Sequence, residues 1–341
     1  MMEAIRKNEK IKKILAIRGM GQVITVTIGL LVLVLIFGIL NPTFFSQKNV
    51  ANLMRQIAPI IIIGIGQSYV LITGNIDLSI GSVIGMSAMI SAKLMSMGVN
   101  PWIAVILTLL AAQIIGLFNG QLISKAKLPP FIATLGTMTI ARGIAQIVNN
   151  NYNTDSIGAG AEGFRNFFYY GRTFGLFNTI WIALVIWMIF NFILSKTRTG
   201  RHVYAIGSNI SAAHLSGVNI VSTTTKAYLV SAFCASMVGL IQTATSGMGT
   251  MDAGTGYEMY AVAASVIGGV STLGGQGILL GTVVGASIWG VLQNGLQFAG
   301  APVAIRNIVI GIIVVVSVLL DIIVRSNQNK TRKRLKKEDA A

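Results

Sequence analysis

The chain has 341 residues, 53% of them hydrophobic and 11% charged, with a mean hydropathy of +0.73. A soluble domain usually carries about 25% charged residues, so a water-soluble globular protein is excluded and lipid is the expected solvent. The formal charge of +16 raises nucleic acid as a partner, but the cations follow position: six lie before residue 19, two at Lys125 and Lys127, four in 196–226 and seven from Arg325 onward. That is the bias of loops held on the cytoplasmic face of a bilayer, and it argues against nucleic acid.

In chain order, residues 1–20 read as a basic cytoplasmic segment. Gly21 to Leu40 is too long for a secretory signal and lacks a small-residue cleavage site, so it reads as a first span. Further spans are expected at Gln56 to Thr73, Ser79 to Met97, Pro101 to Ser124 and Leu128 to Val148, with prolines marking the boundaries. Residues 149–177 are polar and aromatic, the composition of an external loop with rings at the lipid headgroups. After a span at Asn178 to Ser195, residues 196–226 form a basic cytoplasmic loop. Within it Ser211 to Val218 reads as a short helix, capped by Ser208 or Asn209 and ended at Gly217. The remaining spans are Lys226 to Thr245, Tyr257 to Thr272, Ile278 to Phe298 and Val303 to Val324, followed by a basic tail at 326–341 suited to anionic membrane lipid. The fold class is therefore an all-α polytopic membrane protein of about ten transmembrane helices, some discontinuous and glycine-rich. Residues 21–325 make the membrane domain, with both termini in the cytoplasm.

No catalytic set emerges. His202 and His214 are far from any paired carboxylate, and the one cysteine, Cys234, lies in an apolar run, so no metal, cofactor or nucleophile is expected. The string GAGAEG at 158–163 matches a dinucleotide fingerprint in spacing but has no preceding strand. With no phosphate-binding loop of its own, a chain that moves solute uphill draws energy from a partner or an ion gradient.

Asp77 needs explaining, because a carboxylate at membrane depth costs about 3 kcal/mol unless paired or hydrated. Gly74, Asn75 and Gly81 surround it, which suggests either a helix break that meets solute or a cap for the following helix. Uncharged polar residues in the spans, namely Gln67, Asn119, Thr134, Thr137, Gln146, Gln293 and Asn294, are candidates for a solute path or for interhelical hydrogen bonds. Arg142 reads as snorkelling to headgroups. The pairs Gly81/Gly85, Gly116/Gly120 and Gly281/Gly285 mark close helix contacts, within one chain or between two. The stretches 77–85 and 271–277 also resemble each other as polar, glycine-rich breaks ahead of a long apolar helix.

Several stretches carry a family resemblance: ITGNIDLSIGS (72–82), LPPFIATLGTMTIARG (128–143), GTGYE (254–258) and VIGGVSTLGGQG (266–277), in order between about residues 40 and 325. They resemble the ribose-type (simple sugar) permeases of ABC importers. Ala212, Ala213 and Gly217, in a basic loop with Gly207 and Ser211, resemble the element by which such permeases contact their ATPase. Ile210 and Ser211 depart from it, standing where relatives often carry an acidic residue. The resemblance implies a separate ABC ATPase, an external sugar-binding protein and a second permease subunit, in a homodimer, and Gln67, Asn75, Asp77 and the polar residues named above are the candidates for its translocation path. It also implies a bacterial cytoplasmic (inner) membrane location and a pentose, hexose or polyol as cargo. The alternative is an ion-coupled secondary transporter using Asp77.

Overall fold

The computed structural model describes residues 20–306 and, beyond them, 308, 309, 311–313, 315, 316 and 319. The expected basic start (1–19), the tail at 326–341 and most of the far half of the last span lie outside the described residues. The chain is helical almost throughout: α1 (Met20–Leu40), α2 (Gln47–Ile72), α3 (Ile80–Ser96), α4 (Pro101–Ser124) and α5 (Pro130–Ile147) come first. A structured connection follows, with α6 (Glu162–Arg165), a π-helical turn at Asn166–Tyr170 and a small hairpin of β1 (Arg172–Thr173) and β2 (Leu176–Phe177). Then come α7 (Asn178–Lys196), α8 (Arg198–Ser208), α9 (Ile210–Leu215), α10 (Ile220–Ser246), α11 (Tyr257–Ile267) and α12 (Leu279–Phe298).

Among the described residues, six helices (α1, α2, α4, α7, α10 and α12) are long and apolar enough to cross a membrane. The stretches α3, α11 and Val303–Ile313 are shorter apolar helices. The α3 and α11 helices are bounded by glycines with positive φ: Gly74 at 82° before α3, and Gly269, Gly274, Gly275 and Gly277 after α11. The expected boundary near Pro59 is absent; α2 starts at Gln47, its first turn capped by Ser46 Oγ, and carries Pro59 inside it.

The α10 helix is the centre of the bundle, packed against α2, α3 and α4, whereas α1, α4 and α7 bury little of their length. A helix apolar all round with most of its surface uncovered is what lipid or another subunit covers. The three glycine pairs serve contacts within this chain. A methyl group at Gly116 or Gly120 would strike α10, one at Gly281 or Gly285 would strike α11 and the turn after it, and one at Gly81 or Gly85 would strike residues 253–258.

Connection 149–177 is folded into a cap over the end of α10, with Phe167, Tyr170 and Phe174 left exposed. Phe164 and Phe168 are buried, Arg165 Nε donates to Ala244 O (3.1 Å) and Tyr170 OH to Thr245 O (2.9 Å). Its Thr154 and Ile157 amides donate to Gly249 O and Gly247 O. Arg142, at the same end, does not reach outward; its Nη1 donates to the carbonyls of Met251 (2.7 Å) and Ala253 (3.1 Å). The α7 helix, about 28 Å long at 1.5 Å per residue, separates this cap from α8 and α9 at the other end.

Asn294, a candidate for a solute path or an interhelical hydrogen bond, bolts α12 to α2. Asn49 Nδ2 donates to Asn294 Oδ1 (3.0 Å) and Asn294 Nδ2 to Asn49 Oδ1 (3.1 Å), both buried. Asn49→Leu and Asn294→Leu should each destabilise the bundle by about 1–3 kcal/mol, because one buried amide is left without its partner. The double variant should lose clearly less than the sum, measured by thermal unfolding in detergent. Simple additivity would show that the pair does not join the helices.

Candidate functional site

Two breaks in the helical chain meet at the α8 end of the bundle. Residues 73–79 separate α2 from α3, and 268–278 separate α11 from α12. The two breaks meet in space, where Gly275 N donates to Ile72 O at 2.8 Å, at the end of α2, and Gly274 lies against Gly74. Tyr228 OH donates to Ile76 O (2.9 Å) and Tyr204 OH to Gly277 O (2.6 Å), so tyrosines of α10 and α8 satisfy carbonyls that no helix supplies with a donor. Gly207 of α8 lies against both breaks; a Cβ there would collide with Ile72 O and Gly275 N.

Asp77 sits inside this junction, 3% exposed. Its Oδ1 accepts from Ser79 N (2.9 Å) and Ser79 Oγ (2.6 Å), and its Oδ2 accepts from Ser231 Oγ of α10 (2.7 Å). The Ser79 hydroxyl accepts in turn from Asn119 Nδ2 (3.0 Å), and Asn119 Oδ1 accepts from Thr137 Oγ1 (2.6 Å). One hydrogen-bonded chain thus ties α10, the first break, α4 and α5 around a single carboxylate.

The other expected path residues divide. Asn75 Nδ2 donates to Thr73 Oγ1 (2.8 Å) within the break, and Thr134 Oγ1 donates to Pro130 O (2.8 Å) of its own helix. Gln146 is exposed near the end of α5, away from the junction. Gln67 is fully buried in α2, and neither its Oε1 nor its Nε2 has a hydrogen-bond partner among the described residues. Gln293 is half-buried and lines a cavity on the capped side.

Two cavities flank the buried middle. One of about 840 Å3 opens at the α8 end and is lined by Thr73, Asn75, Lys127, Ser211 and His214 among others. The other, about 470 Å3, lies under the cap and is walled by α2, α10, α11 and α12, with Tyr169 from the π-helical turn. Both use α10, and between them every residue of α2 from Ile62 to Ile72 is buried.

The 196–226 stretch holds more helix than expected. Thr197 opens α8, accepting from Gly200 N (3.4 Å), and its Val203 and Ile206 bury one face. The short helix appears as α9, 210–215, capped by Asn209 Oδ1 on Ala212 N (2.9 Å) and ended by Gly217 at φ 79°. Ala213 is buried against the chain itself, while Ser211, Ala212 and Gly217 are exposed, as are the side chains of Ile210 and Leu215 (87% exposed). The α10 helix begins at Ile220, capped by Asn219, a turn and a half before the expected Lys226.

Sequence reasoning missed Tyr204, Tyr228 and Ser231, which satisfy the breaks from helices distant in sequence. It also missed the aromatic wall of the capped cavity, for which a signal existed. Trp289, Gln293 and Gln297 recur at four-residue spacing on α12, and all three line it.

This arrangement, apolar helices with two broken ones meeting between cavities at either end, defines a multi-pass membrane transport protein. The chain matches, over residues 49–318, the family described as branched-chain amino acid transport system / permease component, and it belongs to that family. It is a transport subunit rather than an enzyme. It is 35% identical over 305 residues to the ribose import permease protein RbsC of Bacillus subtilis (strain 168), covering 89% of this chain and 94% of the relative. It is 33% identical to the D-allose transport system permease protein AlsC of Escherichia coli (strain K12), covering 86% and 89%. It is 34% identical to the galactose/methyl galactoside import permease protein MglC of Haemophilus influenzae, covering 85% and 92%. No solved structure matches it with significance.

Asp77 holds its neighbours by accepting, so Asp77→Asn, which keeps one acceptor oxygen and offers Ser231 a donor, should remain folded and transport-competent. Asp77→Leu strands three donors and should destabilise by about 3 kcal/mol. Thermal unfolding and uptake of both variants check this, and loss of uptake in a well-folded Asp77→Asn protein would overturn the capping role.

Proposed function

We propose that this chain is the membrane-spanning subunit of an ABC importer for a simple sugar, a pentose, hexose or polyol. The observation that carries the reading is its near full-length similarity, at 33–35% identity, to import permeases for ribose and allose. Such a subunit works with a separate ATPase and with a binding protein that delivers the solute. A second copy completes the conduit, its contact drawn from the weakly buried helices. On this reading the chain crosses the inner membrane ten times, through α1 to α5, α7, α10, α11, α12 and the helix that begins at Val303. Both termini and the α8–α9 pair face the cytoplasm and the 149–177 cap faces out, which the placement of basic residues supports.

The mechanism follows from what is buried and what is left open. Solute enters from the capped side and leaves through the larger cavity beside α9, and the buried stretch of α2 and α10 between them is the barrier. Ile210, Ala212 and Leu215 at the tip of α9 form the surface that receives the ATPase, with Ser211 and Gly217 beside them. Gly207 transmits its movement, because α8 rests on the backbone of both breaks. Gln67 is the solute contact nearest the middle. Its amide gains donors and acceptors when hydroxylated cargo passes and has none in the closed state.

In proteoliposomes holding permease and ATPase, with binding protein added, uptake should require ATP and survive collapse of proton and sodium gradients by ionophores. Leu215→Asp should leave the permease folded while lowering ATPase co-purification and uptake together. Gradient-driven uptake without ATP would sink the reading. Gln67→Leu should keep or raise the melting temperature, since an unsatisfied amide is replaced by an apolar group of similar size, yet lower uptake by about tenfold. Unchanged uptake would remove Gln67 from the path.

A further inference from the structure

The cavity under the cap combines three kinds of side chain. Tyr257, Tyr260 and Trp289 form a continuous aromatic wall, with ring centroids 5.2 Å apart for the two tyrosines and 4.8 Å for Tyr260 and Trp289. Such faces stack on the C–H surface of a ring-shaped polyol. Gln56, Gln242, Gln293 and Gln297 set amides around that wall, each able to give and accept hydrogen bonds. The third kind is Arg55 and Arg306.

Those two guanidinium groups are not compensated. Asp77, Asp155, Glu162, Asp252 and Glu258 are the carboxylates among the described residues, and none lines the cavity. Arg55 lies between the rings of Tyr169 and Phe177, 4.3 Å from each centroid, so both of its faces are covered. Its Nη2 donates to Asn52 Oδ1 (3.1 Å), but its buried Nε has no partner among the described residues. The buried Nε of Arg306 likewise has none. A neutral sugar needs donors and acceptors, which the glutamines already supply. Two arginines lining one cavity, with no carboxylate among its described lining residues, match an anion, since a guanidinium binds a carboxylate through charge-assisted hydrogen bonds. A cavity of about 470 Å3 has room for one such solute.

We propose that this cavity is a binding site for a sugar acid, a pyranose ring carrying a carboxylate, with the ring on Tyr260 and Trp289 and the carboxylate at Arg55 and Arg306. This deepens, and rests on, the reading of the chain as a sugar permease, narrowing its cargo from neutral sugars to uronates and their kin. The aromatic wall selects the ring and the arginines select the charge.

Equilibrium dialysis of the purified permease in nanodiscs, without binding protein, tests it with radiolabelled D-glucuronate and D-galacturonate against D-glucose and D-galactose, and with inorganic phosphate as competitor. The acids should bind at least about tenfold more tightly than the matching neutral sugars, and phosphate should not displace them at equal concentration. Arg55→Gln and Arg306→Gln together should abolish that preference, read as the ratio of acid to neutral-sugar affinity in the same preparation. Equal affinity for acid and neutral sugar in the unaltered protein overturns the proposal without recourse to a variant. So does displacement by phosphate, or an anionic lipid found in the cavity by native mass spectrometry and not released by the acids. ATP-dependent uptake of neutral sugars alone would overturn this site and leave the importer reading standing. Absence of ATP-dependent uptake of any solute would overturn the importer reading, while the binding comparison still decides the site.

Discussion

Every backbone N–H and C=O within a bilayer needs a partner from the protein, because lipid offers none. An unbroken helix meets that demand by itself, and a broken one does not. This chain breaks two of its helices, at 73–79 and 268–278, and much of its interior answers for those breaks. The breaks partner each other through Gly275 N and Ile72 O, Tyr228 and Tyr204 donate to orphaned carbonyls at Ile76 and Gly277, and Asp77 accepts the free amide of Ser79. Even the central placement of α10 follows, since it alone supplies both Tyr228 and Ser231 to the first break.

The same requirement sorts the polar residues. A buried polar atom with a partner within the chain is doing structural service, and one without is either costly or waiting for something. Asp77, Asn119, Thr137 and Asn294 fall in the first class, each held by named donors or acceptors. Gln67, Arg55 and Arg306 fall in the second. Residue type does not separate the classes: Asn294 and Gln293 are neighbours of similar chemistry, one locked to Asn49 and the other facing a cavity. Their side chains leave α12 about 100° apart, and that angle decides their roles.

This is also why the sequence was legible in one respect and opaque in another. Apolar run lengths are set by bilayer thickness, so membrane class and most helix positions could be read directly. Glycine clusters mark departures from helical φ, and both breaks fell where Gly74 and Gly274–Gly275 placed them. The cap of α9 was readable because Asn209 acts on the residue three positions on. By contrast α8 reads as loop in the sequence, because its short apolar face, Val203 and Ile206, is interrupted by charge and acquires meaning only against the breaks. The roles of Asn294 and Asn119 depended on partners 245 and 40 positions away, at Asn49 and Ser79. Local spacing carries no information about such partners.

A bundle closed by satisfied backbone can open only by exchanging those hydrogen bonds, not by losing them. The junction of the breaks has the means to do so. Its backbone contacts with α8 run through glycine: Gly207 against Ile72 and Gly275, and Gly274 against the carbonyl of Gly207. Its anchors, by contrast, are hydroxyls on α8 and α10, and a tyrosine or serine can re-aim its donor over a small shift. Displacement of α8 therefore acts on two breaks at once while the Asp77 cluster keeps the first of them folded. The polar junction is where the side-chain hydrogen bonds are concentrated, and the glycine contact is where the backbones of α8 and the two breaks meet without intervening side chains.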